Sequence, residues 1–216
     1  MSEKMVIAIA SAKGGAGKST LAQIMAQVLT KHGQRVTIID ADPNRPQVSW
    51  RDGKSEMGFP VIDDVTENNI VRHVNAIEDG YVLIDLEGVG SRLVSRAIAK
   101  ADLVVIPIQP SGLDANEAGK TINLILEEQE VLEREIPFKV VLTRTNPAIR
   151  SKIERKITDE LTKIELPLTG HQLNERSAYK AIFVEKVSLY ELDPAQVNGI
   201  EKAITNAEAV TAEIVN

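Results

Sequence analysis

The sequence predicts an α/β fold, with a single doubly wound and mostly parallel sheet and helices on both faces. Its apolar runs are rich in Val and Ile and are continuous rather than alternating, which is typical of strands buried on both faces of a parallel sheet. Segments with a helical pattern separate these runs, so strands and helices alternate along the chain. No linker, repeat or low-complexity tract divides the sequence. We therefore expect one domain over residues 1–216, with ligands at the carboxyl ends of the strands.

The expected elements follow from this pattern in chain order. The predicted strands cover residues 5–10, 35–40, 81–86, 103–108 and 138–143. The predicted helices cover residues 18–31, 67–77, 91–100, 114–135, 148–164 and 194–215. Gly33 would end the first helix, since glycine readily adopts the left-handed conformation that follows many helix C-termini.

Composition and charge exclude several classes of protein. Hydrophobic residues make up 43% and charged residues 26% of the chain, which is too apolar for a disordered protein. The lack of cysteine excludes disulfides, thiolate metal sites, iron–sulfur clusters and cysteine nucleophiles. A net charge of −6 argues against a uniformly basic nucleic-acid-binding protein but leaves room for a local basic patch. The first apolar run is too short for a signal peptide or a membrane span, so we expect a cytoplasmic protein.

The most informative stretch, residues 11–20, reads SAKGGAGKST and lies between the first predicted strand and the first predicted helix. Its glycines would let backbone N–H groups converge on phosphate oxygens, to which the helix N-terminus adds its positive dipole end. Lys18 would contact the β and γ phosphates, and the Ser19 hydroxyl would ligate Mg²⁺. The predicted nucleotide-binding residues are Lys13, Gly14, Gly15, Ala16, Gly17, Lys18, Ser19 and Thr20.

This stretch departs from the general P-loop, because Ala12 takes the first glycine position and a second lysine, Lys13, follows it. Residues 13–19, KGGAGKS, resemble the deviant Walker A motif of the ParA/MinD ATPases, which include plasmid and chromosome partition proteins. The resemblance implies ATP and Mg²⁺ as cofactors, a homodimer that forms on ATP binding, and a catalytic Lys13 that reaches the partner's nucleotide. A cation from a second subunit neutralises phosphate charge only after assembly. The alternative for Lys13 is a solvated surface side chain.

Three aspartates lie at or just after the ends of predicted strands, where the carboxyl edge of the sheet would bring them to the nucleotide. Asp40 and Asp42 belong to an Asp-Ala-Asp-Pro sequence that resembles the family's D-x-D-P motif. The resemblance implies that Asp42 is catalytic and orients the attacking water or a Mg²⁺-bound water, and that Asp40 supports the Mg²⁺ shell. Both have an alternative as capping and turn residues before a proline. Asp85 ends the third predicted strand in a pattern similar to Walker B and would hold Mg²⁺ through water.

The residues after Asp85 depart from the family pattern. Many partition ATPases have a Pro-Pro pair where this chain has Glu87 and Gly88. The role of Glu87 therefore stays open between assistance to water or Mg²⁺ and an exposed loop carboxylate. By the same resemblance, Gln109 and Asp114 are weaker candidates in a loop near the dimer interface.

Positive charge is concentrated late in the chain. Residues 144–156 contain five cations and one anion, and the helix predicted there has apolar side chains on one side and cations along an outward edge. Residues 174–180 contain a second, smaller cluster at what looks like the start of a short helix. Together the clusters would make a sequence-independent DNA footprint that contacts phosphates, although a solvated helix face is an equal alternative. The predicted DNA contacts are Arg150, Lys152, Arg155, Lys156, Lys163, Arg176 and Lys180.

Three longer stretches indicate which branch of the family the chain resembles. Residues 142–150, 173–181 and 206–214 are similar to the VirC ATPases of T-DNA transfer and to small ParA proteins of plasmids. The resemblance implies an ATPase that dimerises on ATP, binds DNA nonspecifically and is associated with the nucleoid in that state. A centromere-binding or relaxosome-type adaptor would stimulate hydrolysis, and a plasmid or DNA-transfer complex would thereby be segregated or positioned.

Two other classes of function fit the same nucleotide motif. A MinD-like ATPase that positions a membrane or protein cargo would need a C-terminal amphipathic helix with flanking cations. Residues 199–216 contain one Lys and three Glu without Phe or Trp, so we expect no membrane partner. The third class comprises kinases, small GTPases and reductases on the same fold. The lack of cysteine excludes an iron–sulfur reductase, and no guanine-reading motif follows Thr143, which favours adenine.

Overall fold

The computed structural model describes residues 3–88, 90–146, 152–163 and 165–216. The strands of these residues are β1 (Met5–Ile9), β2 (Val36–Ala41), β3 (Val61–Ile62), β4 (Tyr81–Leu86), β5 (Leu103–Ile108), β6 (Phe138–Thr145) and β7 (Leu173–Asn174). They form one parallel sheet in the spatial order β3-β2-β4-β1-β5-β6-β7. The helices are α1 (Lys18–Lys31), α2 (Pro46–Arg51), α3 (Ile70–Ala76), α4 (Arg92–Lys100), α5 (Gly112–Leu132), α6 (Lys152–Lys163), α7 (Ser177–Glu185) and α8 (Ile200–Val215).

Helices cover both faces of the sheet, which confirms the predicted doubly wound fold. Successive strand residues point to opposite faces. Ile7 and Ile9 of β1 pack with α1, α2, α7 and α8, on what we call the α1 face. Val6 and Ala8 pack with α3, α4, α5 and α6, on what we call the α4 face. None of the helices in the described part of the chain is long and apolar enough to span a membrane.

The structure confirms all five predicted strands and, apart from shifts at their ends, the predicted helices. The helix predicted over 148–164 is present over Lys152–Lys163, and its other predicted residues lie outside the described ones. The last helix begins at Ile200 rather than at residue 194, since Gly199 adopts a left-handed φ of 72° just before it. The sequence does not predict β3, β7 or α2, because segments of two to six residues show no periodicity.

The register of the sheet places two acidic residues side by side on neighbouring strands. Asp40 in β2 is paired with Asp85 in β4. Two residues earlier in the same strands, Ile38 and Leu83 pack into the core of the α1 face, so both carboxylates belong to that face. Because all strands are parallel, the loops that follow β1, β2, β4 and β5 leave the sheet at the same edge.

Candidate nucleotide-binding site

The loop between β1 and α1 takes a shape that requires glycine. Gly15 has a φ of 76° and Gly17 a φ of 97°, in the left-handed region that other residues adopt only at a cost. Gly17 precedes the first residue of α1, and a Cβ at this position would lie 3.6 Å from Thr143. Gly17 has no side chain to cap the N–H groups at the start of α1, so a phosphate group can take that place.

Side chains from three other elements hold the backbone of this loop. In α5, the Oγ1 of Thr121 accepts the Ala12 N–H at 3.1 Å. After β5, the Nε2 of Gln109 donates to the Gly15 carbonyl at 3.0 Å. In β6, the Oγ1 of Thr143 donates to the Ala16 carbonyl at 2.7 Å. Thr121 and Thr143 are buried. Gln109, a weak candidate for the dimer interface, thus contacts the loop itself, and the loop is held in shape before any ligand binds.

The two lysines of the loop are close to each other. Lys18 is buried, and its Nζ donates to the main-chain carbonyl of Lys13 at 3.3 Å. Burial lowers the pKa of Lys18, whereas the negative charges of Asp85, Asp42 and Glu87 act to raise it. Lys13 itself is partly exposed. An ammonium group held in this way, among carboxylates and beside a glycine-rich turn, can stabilise the added negative charge of a phosphate.

Asp40 is engaged with the backbone of α2. Its side chain is buried, and Oδ2 accepts the N–H groups of Gln47 at 2.9 Å and Val48 at 3.0 Å. Burial raises the pKa of Asp40, and these backbone hydrogen bonds act to lower it. The structure therefore places Asp40 as a cap of α2, which is the alternative to its role in the Mg²⁺ shell. The magnesium role of Asp40 stays a prediction.

Asp85 is fully buried beside Ser19. Burial raises the pKa of Asp85 to about 7, although hydrogen bonds from Gln47 and Ser19 act to lower it. Within the described residues its Oδ1 has no hydrogen-bond partner, and no group of three or more acidic or His side chains there forms a metal site alone. The Ser19 hydroxyl therefore fits a direct ligand of Mg²⁺, and the Asp85 carboxylate fits a group that would hold the ion through water.

An Asp85→Asn variant is expected to be more stable than the wild-type protein at pH 8, by roughly 5 °C in melting temperature, when metal and nucleotide are absent. Folding raises the pKa of Asp85 from 3.8 to about 7. The free energy of unfolding of the wild-type protein therefore falls as the pH rises from about 4 through 7, because the buried carboxyl must ionise. The asparagine amide of the variant does not titrate, so its free energy of unfolding does not fall in this way. Thermal melts in EDTA measure this, and an equal difference at pH 5.5 and pH 8 would contradict it.

Gln47 is a site residue that the sequence does not indicate. Its Nε2 donates to Asp85 Oδ2 at 2.8 Å and to the Ser19 carbonyl at 2.9 Å. It lies in α2, a helix of six residues, and no known spacing marks it. The only local signal is Pro46, which favours the first turn of a helix.

The loops after β1, β2 and β4 enclose a cleft of about 380 Å³. Asp42 lies in its wall, and its Oδ1 accepts the main-chain N–H of Asn44 at 2.8 Å and the side-chain amide of Asn44 at 2.9 Å. Glu87, whose role the sequence leaves open, is exposed in the same wall. The cleft brings together most of the predicted nucleotide-binding residues with Asp42, and its lining comprises Gly14, Gly15, Gly17, Lys18, Ser19, Thr20, Asp42, Asn44, Glu87, Gly88 and Arg144.

A smaller pocket of about 70 Å³ adjoins the cleft and shares Gly17, Thr20 and Arg144 with it. Arg176 and Lys180, which are predicted DNA contacts, line this pocket. The Lys180 Nζ forms an ion pair with Glu175 at 2.6 Å, and a guanidinium nitrogen of Arg176 donates to Asn174 Oδ1 at 3.3 Å. These cations therefore lie beside the phosphate-binding loop, and their DNA contact stays a prediction.

The basic helix is amphipathic as predicted. Ile157 and Leu161 of α6 are buried on the α4 face. Its predicted DNA contacts Lys152, Arg155, Lys156 and Lys163 are exposed. Lys156 forms an ion pair with Glu160 at 3.8 Å, and such exposed pairs contribute little to stability.

Two of the predicted site residues have side chains that the structure does not describe. Arg150 and the side chain of Asp114 lie outside the described residues. The helices of the two basic clusters pack on opposite faces of the sheet, α6 on the α4 face and α7 on the α1 face. Arg144 of the first cluster nevertheless lines the small pocket together with Arg176 and Lys180, and a shared DNA footprint stays a prediction. The connection between a strand and the next helix decides on which face of the sheet that helix packs. The charge pattern of the sequence does not indicate this face.

The chain is similar in sequence to known proteins. A model of the VirC1 protein family matches residues 4–214. The ParA protein of Rhizobium radiobacter is 41% identical over 97% of this chain and 95% of its own length. The virC1 protein of the same organism is 29% identical over 82% of this chain and 79% of its own length.

The fold has solved counterparts as well. The structure of an ATP complex of a Cyanothece McdA variant covers 100% of this chain and 98% of its own, with a TM-score of 0.77 at 18% identity. This likeness shows a shared fold. Since the family model spans nearly the whole sequence and the ParA relative is 41% identical, the chain belongs to the VirC1 family of ParA-like proteins.

Proposed function

We propose that this protein is a Mg²⁺-dependent ATP hydrolase, formed by a single domain over residues 1–216. It dimerises around ATP, binds DNA nonspecifically and segregates or positions a plasmid or DNA-transfer complex. The observation that carries the proposal is the cleft whose lining brings together the phosphate-binding loop, Ser19 and Asp42, with the buried Asp85 beside Ser19. The ParA and virC1 relatives and the ATP bound to the structurally similar McdA support it.

The residues of the cleft divide the chemistry between them. The backbone of the loop and Lys18 bind the phosphates. Ser19 and Asp85 hold Mg²⁺, which neutralises charge on the phosphates when it is bound. Asp42 lies in the wall of the same cleft and would orient the attacking water. Each group acts on a different part of the triphosphate, so the cleft supports hydrolysis rather than binding alone.

The dimer follows from the second lysine of the loop. Lys13 is partly exposed, and its side chain would contact a phosphate group bound by a second subunit. An ammonium group supplied by the partner lowers the barrier to hydrolysis only in the assembled state. ATP thereby links two subunits, and hydrolysis releases them. The dimer binds DNA and is associated with the nucleoid while ATP is present.

DNA binding would use the exposed edge of α6. Lys152, Arg155 and Lys156 lie there on the side opposite the buried residues of the helix. Contacts to phosphates release condensed counterions, so binding by this surface weakens steeply with salt. A centromere-binding or relaxosome-type adaptor that stimulates hydrolysis would then end the DNA-bound state.

We expect DNA binding to require ATP and to show a steep salt slope. Fluorescence anisotropy with a labelled duplex, measured with ATP, ADP and no nucleotide across a salt series, tests this. The double variant Lys152→Ala/Arg155→Ala should reduce the slope of log K against log salt by about 1.8, since each phosphate contact contributes about 0.9.

A matched control uses two exposed cations outside α6, in the double variant Lys54→Ala/Lys202→Ala. This variant should keep the wild-type slope. DNA binding that is equal with and without ATP would contradict the proposed cycle, and an equal loss in both double variants would contradict the assignment of α6.

A further inference from the structure

Gln47 links the predicted magnesium side of the site to the phosphate-binding loop. One side-chain amide donates both to Asp85 Oδ2 at 2.8 Å and to the main-chain carbonyl of Ser19 at 2.9 Å. The side chain is fully buried. Strand β4 and the first turn of α1 are thus joined through a single group.

The partners of this amide fix its orientation. Both are hydrogen-bond acceptors, so the nitrogen of Gln47 must face them and its Oε1 must point away. Oε1 is buried without a hydrogen-bond partner in the described part of the chain, and so is Oδ1 of Asp85. Buried polar atoms of native proteins almost always have a partner. The unpartnered Oδ1 of Asp85, on the carboxylate that Gln47 holds through Oδ2, indicates a ligand that donates a hydrogen bond.

Helix α2 is held at both ends, so Gln47 is not free to adapt. At its start, Asp40 accepts two main-chain N–H groups. Near its end, Trp50 is buried, donates through Nε1 to the carbonyl of Val187 at 3.1 Å and stacks on Phe59 with ring centroids 5.3 Å apart. The side chain of Gln47 is therefore placed beside Asp85 before nucleotide binds.

We propose that Gln47 is a positioning residue for the magnesium ion that accompanies ATP. It holds Asp85 through Oδ2, which leaves Asp85 Oδ1 to accept a hydrogen bond from the water that the ion would bring. Mg²⁺ keeps several waters and uses few protein ligands, and groups that bond to its inner ligands set much of its affinity. The inference rests on the proposed function, since it requires Mg²⁺ and ATP to bind in this cleft.

The test separates magnesium-dependent from magnesium-independent nucleotide binding. Isothermal titration calorimetry measures the Kd of ATP with excess Mg²⁺ and with EDTA, for the wild-type protein and for Gln47→Met. Methionine keeps the length and burial of the side chain but donates no hydrogen bond. We expect the Kd with Mg²⁺ to rise about 10-fold and the Kd with EDTA to change less than about 2-fold. If the methionine variant does not fold, Gln47→Ala replaces it with the same expectation.

Gln27→Met is the matched control. Gln27 is an equally buried glutamine near the other end of α1, and its Oε1 accepts the N–H of Leu189 at 2.7 Å. This variant should leave both Kd values unchanged. An equal loss with Mg²⁺ and with EDTA in Gln47→Met, or no loss in either, would overturn the inference alone. A wild-type protein whose ATP binding does not depend on Mg²⁺ would overturn the proposed function together with it.

Discussion

A Lys13→Ala variant is expected to bind ATP but to remain a monomer and to hydrolyse ATP at least about 100-fold more slowly than the wild-type protein. The contact of Lys18 within the loop uses the main-chain carbonyl of Lys13, which alanine retains. The shape of the loop depends on its glycines and on side chains from other elements. The substitution therefore removes the ammonium group and leaves the subunit's own phosphate-binding surface intact.

Light scattering coupled to size exclusion, with a slowly hydrolysed ATP analogue, measures the assembly, and phosphate release measures the rate. Lys13→Arg is the matched variant that keeps the charge and should dimerise. Wild-type dimerisation and hydrolysis by Lys13→Ala would leave Lys13 as a solvated side chain and remove the basis for the dimer.

Mixing two inactive variants distinguishes a lysine that acts across the dimer from one that acts within its own subunit. In a mixed dimer of Lys13→Ala and Lys18→Ala, one site keeps its own Lys18 and receives Lys13 from the neighbour. Each mixed dimer has one complete site out of two, so activity should return on mixing, to at most about half of the wild-type rate. No recovery on mixing would show that Lys13 acts in cis.

An Asp42→Ala variant is expected to bind ATP and to dimerise, but to lose about 100-fold or more in hydrolysis. Asp42 is partly exposed in the wall of the cleft, and its structural contacts are to Asn44 within its own turn. Asp40, not Asp42, caps α2. The change therefore affects the group facing the nucleotide more than the fold around it.

The matched control is Asp63→Ala, which removes a nearby exposed carboxylate that pairs with Arg45. It should hydrolyse ATP at the wild-type rate. Phosphate release under single-turnover conditions separates hydrolysis from binding for both variants. Unchanged hydrolysis in Asp42→Ala would assign Asp42 to the turn alone.

The sequence was sufficient for the five longer strands of the sheet and for the phosphate-binding loop, because both depend on local chemistry. Continuous apolar strands indicate burial on two faces, and the glycines at 15 and 17 are required by their backbone conformation. It was also sufficient to place Asp85 at the end of a strand beside the loop. Its pairing with Asp40 then follows from the register of β2 and β4.

The remaining features depend on contacts between distant segments. Gln47 lies 28 residues from Ser19 and 38 from Asp85, and nothing in its neighbourhood signals a bond to either. Thr121 and Thr143 reach the loop from more than a hundred residues away. The two basic clusters look equivalent in the sequence, yet the connections after β6 and β7 place their helices on opposite faces of the sheet.

The side chains that hold the phosphate-binding loop matter for how the sequence can diverge in related genes. Thr121, Gln109 and Thr143 come from three separate stretches, none of which belongs to the glycine-lysine motif. A descendant of this gene that keeps the whole glycine-lysine motif but substitutes these threonines would have a phosphate-binding loop of altered shape. In duplicated copies, loss of function would then begin outside the signature by which such copies are recognised.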